Sequence, residues 1–138
     1  MKIVFCIPGK KFSGTFLQCW TYLTKKIPSN IEWFMVNGYI PNISYSRQAL
    51  LDRAKMFRPT HYMWIDDDQV FDYNQFQTLL DHNLDIISGI YKKSENLFAC
   101  AKLDGTTLTV DDKMDSGINE VMANGMGFML VKSEVFDR

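Results

Sequence analysis

Residues 2–7 form, after Lys2, a β-branched and apolar run closed by Pro8-Gly9, the pattern of a buried strand expected at the centre of a sheet. Ser13 then stands where a helix cap belongs. Phe16, Leu17, Trp20 and Leu23 follow at helical spacing until Lys25-Lys26 and Pro28. The unit repeats: residues 31–36 read as a strand, Asn37-Gly38 as a turn, and residues 45–57 as a helix with Ala49, Leu50, Ala54 and Phe57 on one face, stopped by Pro59. His61–Ile65 is a third strand. Asp72 and Gln75 make a D-x-x-Q capping box for a helix through Phe76, Leu79 and Leu80, and residues 84–91 read as a fourth strand.

Strand and helix in strict alternation imply an α/β fold, a mostly parallel central sheet flanked by helices on both faces in the Rossmann-like manner. The pattern changes after residue 91. Residues 97–102 and 107–110 flank an Asp104-Gly105 turn, and residues 118–123 and 128–132 flank the bend Asn124-Gly125-Met126-Gly127, so a small antiparallel excursion is expected within 97–131. Ser133 to Phe136 reads as a capped helix start. The chain stops about one turn later, a length unstable in isolation, so the expectation is a single domain over 1–138 that lacks a C-terminal part.

With 138 residues, 46% of them hydrophobic and 22% charged, the chain can bury a core without a disulfide or metal to hold it. A net charge of −1 offers no basic footprint for nucleic acid and no polybasic membrane patch. Cys6, Cys19 and Cys100 are odd in number and widely spaced, which points to core thiols in a reducing compartment rather than to a zinc site. No segment reads as a signal peptide or transmembrane span, and the expected location is the cytoplasm.

The chemistry concentrates in Asp66-Asp67-Asp68, at the carboxyl end of the third strand, where open α/β sheets bind their ligands. If the backbone stays extended there, Asp66 and Asp68 point to one side and Asp67 to the other, so two carboxylates can converge on one cation. Hard oxygen ligands favour Mg²⁺, Mn²⁺ or Ca²⁺ over zinc, and Mg²⁺ is commonly held by one or two carboxylates together with substrate phosphates. Two other readings stay open. The run can simply solvate a strand end and start a turn. Asp66-x-Asp68-x-Val70 also matches the D-x-D-x-T/V pattern of haloacid dehalogenase-type phosphatases, although those place their nucleophile after the first strand. An EF-hand fails, with Phe71 where its glycine belongs and Gln77 where its glutamate belongs.

Ile7-Pro8, the helix segment from Ser46 to Leu51, the block from Thr60 to Asp68, the segment from Asp85 to Tyr91 and the stretch from Gly125 to Phe136 occur in an order and spacing that resemble GT-A glycosyltransferases, in particular the family 2-like enzymes of viral and metagenomic genomes. The resemblance implies a GT-A fold and a metal-dependent transfer of sugar from a nucleotide-diphosphate donor to a hydroxyl of a glycan or other acceptor. It places Pro8, Gly9, Arg47, Asp66 and Asp67 at the donor, Asp66 and Asp68 on Mn²⁺ or Mg²⁺, and Gly125 and Gly127 on the acceptor and sugar side. The second strand ends in Asn37 where the family frequently has an acidic base-reading residue. The family's catalytic carboxylate and a further metal-binding histidine follow the glycine-rich segment, which puts the general base beyond Arg138 and leaves open a nucleotide- and metal-binding fragment without activity of its own.

The remaining polar residues carry plainer expectations. Gly9 to Gly14 is no P-loop, since Thr15 stands where its lysine belongs, and Lys10 and Lys11 read as solvated loop charges. Arg47 is expected on the exposed side of its helix, as a phosphate contact or a surface charge. His61 and His82 have no ligand partner at useful spacing, Tyr91-Lys92-Lys93 reads as loop surface, and Asn42-Ile43-Ser44 is a sequon without meaning in a cytoplasmic chain. The tryptophans and most methionines are expected in the core.

Overall fold

The structure is a computed structural model that describes residues 1–114 and 117–137. Arg138 lies outside the described residues. The central sheet has five strands, β1 (Lys2–Pro8), β2 (Glu32–Gly38), β3 (His61–Ile65), β4 (Ile86–Ser88) and β8 (Phe128–Lys132), in the order β2-β1-β3-β8-β4. A three-stranded antiparallel sheet, β6-β5-β7, is built from β5 (Leu97–Ala101), β6 (Thr107–Thr109) and β7 (Ala123–Asn124). The fold is therefore mixed α/β. β1 pairs in parallel with β2 and β3, while β8 runs antiparallel between β3 and β4. β1 is an interior strand, with β3 at the centre.

Alternation along the strands divides the core in two. Ile3, Phe5, Ile7, Met63, Ile65, Phe128 and Leu130 face one layer, against α1 (Gly14–Lys26) and α3 (Tyr73–His82), through Phe16, Leu23, Phe76 and Leu79. Val4, Cys6, Tyr62, Trp64, Met129 and Val131 face the other, against Leu50, Leu51 and Ala54 of α2 (Ile43–Lys55). Burial on both faces is why β1 has no polar position after Lys2, and each large side chain sealed there contributes roughly 1.5–3 kcal/mol. Phe5 stands edge-on to Trp20 and Trp33, with centroids at 5.2 and 6.1 Å. Burial pushes the Cys6 thiol up to about 12 and raises that of Cys100, so both are inert core thiols.

Local signals hold where their partners are close in sequence. Ser13 caps α1 by accepting from the Phe16 N–H, and Asp72 and Gln75 form the reciprocal capping box of α3. The Asp104-Gly105 turn joins β5 to β6, with Gly105 at φ +84°. Signals that depend on a distant partner differ from expectation. β4 covers three residues rather than 84–91, because it lies at the sheet edge and pairs with β8 alone. The segment 118–123 contributes to strand only at Ala123, since β5 offers β7 just Cys100 and Ala101. Asn37 and Gly38 are the last residues of β2, paired with Ile7 and Pro8, not a turn.

α2 begins two residues earlier than the expected 45 and ends at Lys55. Asn42, the first residue of the sequon, caps it: its Oδ1 accepts from the N–H groups of Ser44 and Tyr45 at 3.0 and 3.2 Å. Ser133–Asp137 is a 3₁₀ turn. Of the methionines, Met63 and Met129 are core, whereas Met1, Met35, Met56 and Met122 are exposed, which corrects their assignment to packing. Among the described residues no helix is long and apolar enough to cross a membrane.

Candidate functional site

Because β1 to β4 point the same way and β8 the opposite way, the carboxyl ends of four strands and the amino end of the fifth meet at one edge. Backbone bonds stitch that edge together. The Gly9 N–H donates to the Gly38 oxygen, the Asp66 N–H to the Gly127 oxygen and the Gly89 N–H to the Phe128 oxygen, each at 3.0 Å. Asn37 ties the first loop down, its Nδ2 donating to the oxygens of Ile7 at 2.8 Å and Gly9 at 3.0 Å. Both donors of that amide are thereby used, and its oxygen is left as an acceptor.

β3 ends at Ile65, and the acidic run that follows is a turn, closed by the Gln69 N–H donating to the Asp66 oxygen at 3.1 Å. The expected extended alternation of Asp66 and Asp68 therefore does not apply: the carboxyl end of the strand leaves the sheet at once. Asp68 is exposed, while Asp66 and Asp67 are partly buried. Burial raises the Asp67 pKa, and the charges of Asp68 and then Asp66 add to this, against N–H donors from Lys10 and Asp67 itself. Three crowded carboxylates of this kind favour a counter-cation.

One is present. Arg47 reaches down from α2, and its Nη2 donates to both oxygens of Asp66 at 3.0 and 3.2 Å, with the two side chains 23% and 24% exposed. Arg47 is thus a partly buried site residue rather than a group on the exposed side of the helix. Its Nε is buried without a hydrogen-bond partner among the described residues. Lys10 and Lys11 are exposed, and the Lys10 ammonium lies 5.7 Å from the centre of the Tyr39 ring.

The glycines have reasons of their own. A Cβ on Gly9 would fall 2.5 Å from Asp67 Cβ, so the bare backbone lets the acidic turn close over the first loop. A Cβ on Gly125 would sit on the Tyr91 hydroxyl, and one on Gly127 would lie 2.6 Å from Tyr91 Cζ. At both glycines the volume of a side chain is taken by Tyr91. Far from being loop surface, Tyr91 is half-buried and accepts from the Gly127 N–H at 2.9 Å, with Lys92 and Lys93 exposed beyond it. Burial raises its pKa, with Asp66 and Asp68 adding to the rise, while the Gly127 N–H and Arg47 oppose it.

The site thus gathers Pro8, Gly9, Arg47, Asp66, Asp67, Asp68, Gly125 and Gly127 at one sheet edge, with Asn37 and Tyr91 added. Beside it, a cavity of about 920 Å³ opens between α3, β4 and the segment leading to β7, with Gln69, Ser88, Tyr91 and Asn124 on its walls. Among the described residues no group of three or more His, Cys, Asp or Glu side chains is arranged to hold a metal ion. His82 lines the cavity and His61 lies in β3, away from the acidic turn.

The fold is similar to that of A197 from STIV. The crystal structure of A197 superposes with a TM-score of 0.65 over 100% of this chain and 68% of that one, at 19% sequence identity. At such an identity the likeness speaks for the fold alone. No family model matches the chain, and no curated protein matches it.

Proposed function

We propose that the chain is a GT-A-type, metal-dependent glycosyltransferase that moves a sugar from a nucleotide-diphosphate donor to a hydroxyl acceptor. The observation that carries this reading is the meeting of Arg47, with an unused buried N–H, and the acidic turn Asp66 to Asp68 at the carboxyl edge of the sheet. Anion-binding and cation-binding groups side by side suit a diphosphate with its metal. The residues fit Mn²⁺ or Mg²⁺: hard, mutually repelling carboxylates on a turn where Asp68 is exposed and Asp66 partly buried, these two serving as its ligands. When bound, such an ion offsets the charge that develops on the departing diphosphate.

The other groups hold and orient. Arg47 donates to phosphate oxygens, the backbone of Pro8 and Gly9 lies against the nucleotide, and the free oxygen of Asn37 accepts an N–H from the base. Asp67, in contact with Gly9 and the Lys10 N–H, fixes the turn on the donor side. The Gly125 to Gly127 bend, with Tyr91 beneath it, separates the donor side from the cavity that faces the acceptor. A dehalogenase-type phosphatase is less well supported, because its nucleophile follows the first strand whereas Asp66 follows β3.

Thermal melting with Mn²⁺ and a panel of nucleoside diphosphates tests the reading. Stabilisation that needs both components and disappears in Asp68→Ala is the expected result, since a ligand bound only by the folded state raises its stability. A wild-type protein indifferent to every metal and diphosphate pair would overturn it.

A further inference from the structure

The guanidinium of Arg47 is only half used. A single nitrogen, Nη2, serves both oxygens of Asp66, while Nε is buried and meets no acceptor among the described residues. A donor taken out of water without an acceptor is costly, and a planar fork gripping by one corner keeps donors free for a second anion. Asp66 is constrained in the complementary way. It belongs to three consecutive carboxylates, and among the described residues Arg47 is the one cationic side chain within ion-pair distance of them. Each partner of this ion pair is therefore what the other's ligand must displace.

We propose that Arg47 is an exchangeable counter-ion: in the empty site it neutralises Asp66, and when a nucleoside diphosphate binds it passes its hydrogen bonds to the phosphate oxygens and releases Asp66 to the divalent cation. The inference rests on the functional reading above and adds an order of dependence to it. Metal alone competes with Arg47 for Asp66. Diphosphate alone competes with Asp66 for Arg47. Together, each ligand removes the other's competitor, so the two bind with positive coupling, and linkage makes that coupling equal in both directions. A guanidinium that stayed on Asp66 throughout would contribute nothing to the coupling.

The test measures Mn²⁺ affinity from the paramagnetic resonance signal of free Mn²⁺, corrected for metal held by free nucleotide. It is run with and without UDP, GDP or ADP, whichever gives the largest melting shift, on the wild type and Arg47→Gln. Without its competitor, Arg47→Gln binds Mn²⁺ alone about five-fold more tightly, and the coupling between Mn²⁺ and diphosphate falls about ten-fold. On wild type alone, the Arg47 Nε–H resonance, assigned by its loss in Arg47→Lys, shifts when Mg²⁺ and diphosphate are added together. Equal Mn²⁺ affinity in the two proteins, unchanged coupling, or a resonance unmoved at saturation would overturn the exchange while leaving the functional reading intact. Failure of the wild type to bind Mn²⁺ and diphosphate in any combination would overturn both.

Discussion

The Gly127 amide donates to the Tyr91 hydroxyl oxygen at 2.9 Å, and the phenol ring occupies the volume that a side chain at 127 would need. Gly127→Ala is therefore expected to cost about 1–3 kcal/mol by overpacking. Tyr91→Ala empties that volume, so the double variant should be more stable than the sum of the two single losses allows. Urea denaturation of the four proteins gives the comparison. Strictly additive losses would mean that the two residues do not share the space.

A second close approach makes a sharper discrimination. The clash expected in Gly9→Ala is with Asp67, whose Cβ and Oδ2 both lie 2.5 Å from the new methyl, so the substitution should cost about 1–3 kcal/mol, and the immovable Cβ decides whether a change at 67 relieves it. Asp67→Gly, which removes that carbon, should restore the loss. Asp67→Ala, which keeps it, should not. Relief by both would point to the carboxylate rather than the Cβ as the obstacle.

Asn42 holds the start of the helix that carries Arg47. Its side-chain oxygen accepts from two N–H groups, and Asn42→Ala should lower stability by about 1 kcal/mol with the urea m-value unchanged, whereas Asn42→Asp should be close to neutral. An alanine variant as stable as the wild type would show that tertiary packing alone sets the helix start.

The small sheet should loosen in acid. Asp112 accepts from the Lys102 ammonium and from the Thr109 N–H and hydroxyl, and these bonds bring its pKa from 3.8 down to about 2. A carboxylate whose folded pKa lies below its unfolded one contributes stability that is fully present above about 3.8 and is lost as pH falls through about 2. Amide exchange at Thr109 should accordingly speed up across that window in the wild type, and the acceleration should be absent in Asp112→Asn. Because the Lys102–Asp112 pair lies partly exposed at the surface, the effect should shrink in high salt.

What could be read in advance follows the range of the interaction. The α3 capping box joins residues 72 and 75 and β3 is one apolar run, so neither needs anything distant to be recognised. Arg47 is different. On its own helix it occupies a polar position, and only the packing of α2 against β1 and β2 brings it to a carboxylate 19 residues away. Gly125 and Gly127 were identifiable as special, but the group that excludes their side chains is Tyr91, 36 residues from Gly127 along the chain. Likewise, the hydrophobicity of residues 84–91 is real, yet strand length there is set by how much of β8 lies alongside, which no local window contains.

The placement of β8 also orders events in time. β4 hydrogen-bonds to β8 alone in the sheet, and β8 is made some forty residues later. During synthesis, β4 must therefore wait unpaired until residues 128–132 emerge. The insertion that docks it also brings the Gly127 oxygen to the Asp66 amide. The edge that carries the candidate site is thus completed late, and a protein stalled before that step would retain the β1–β3 sheet with α1 and α2 while presenting an unfinished rim.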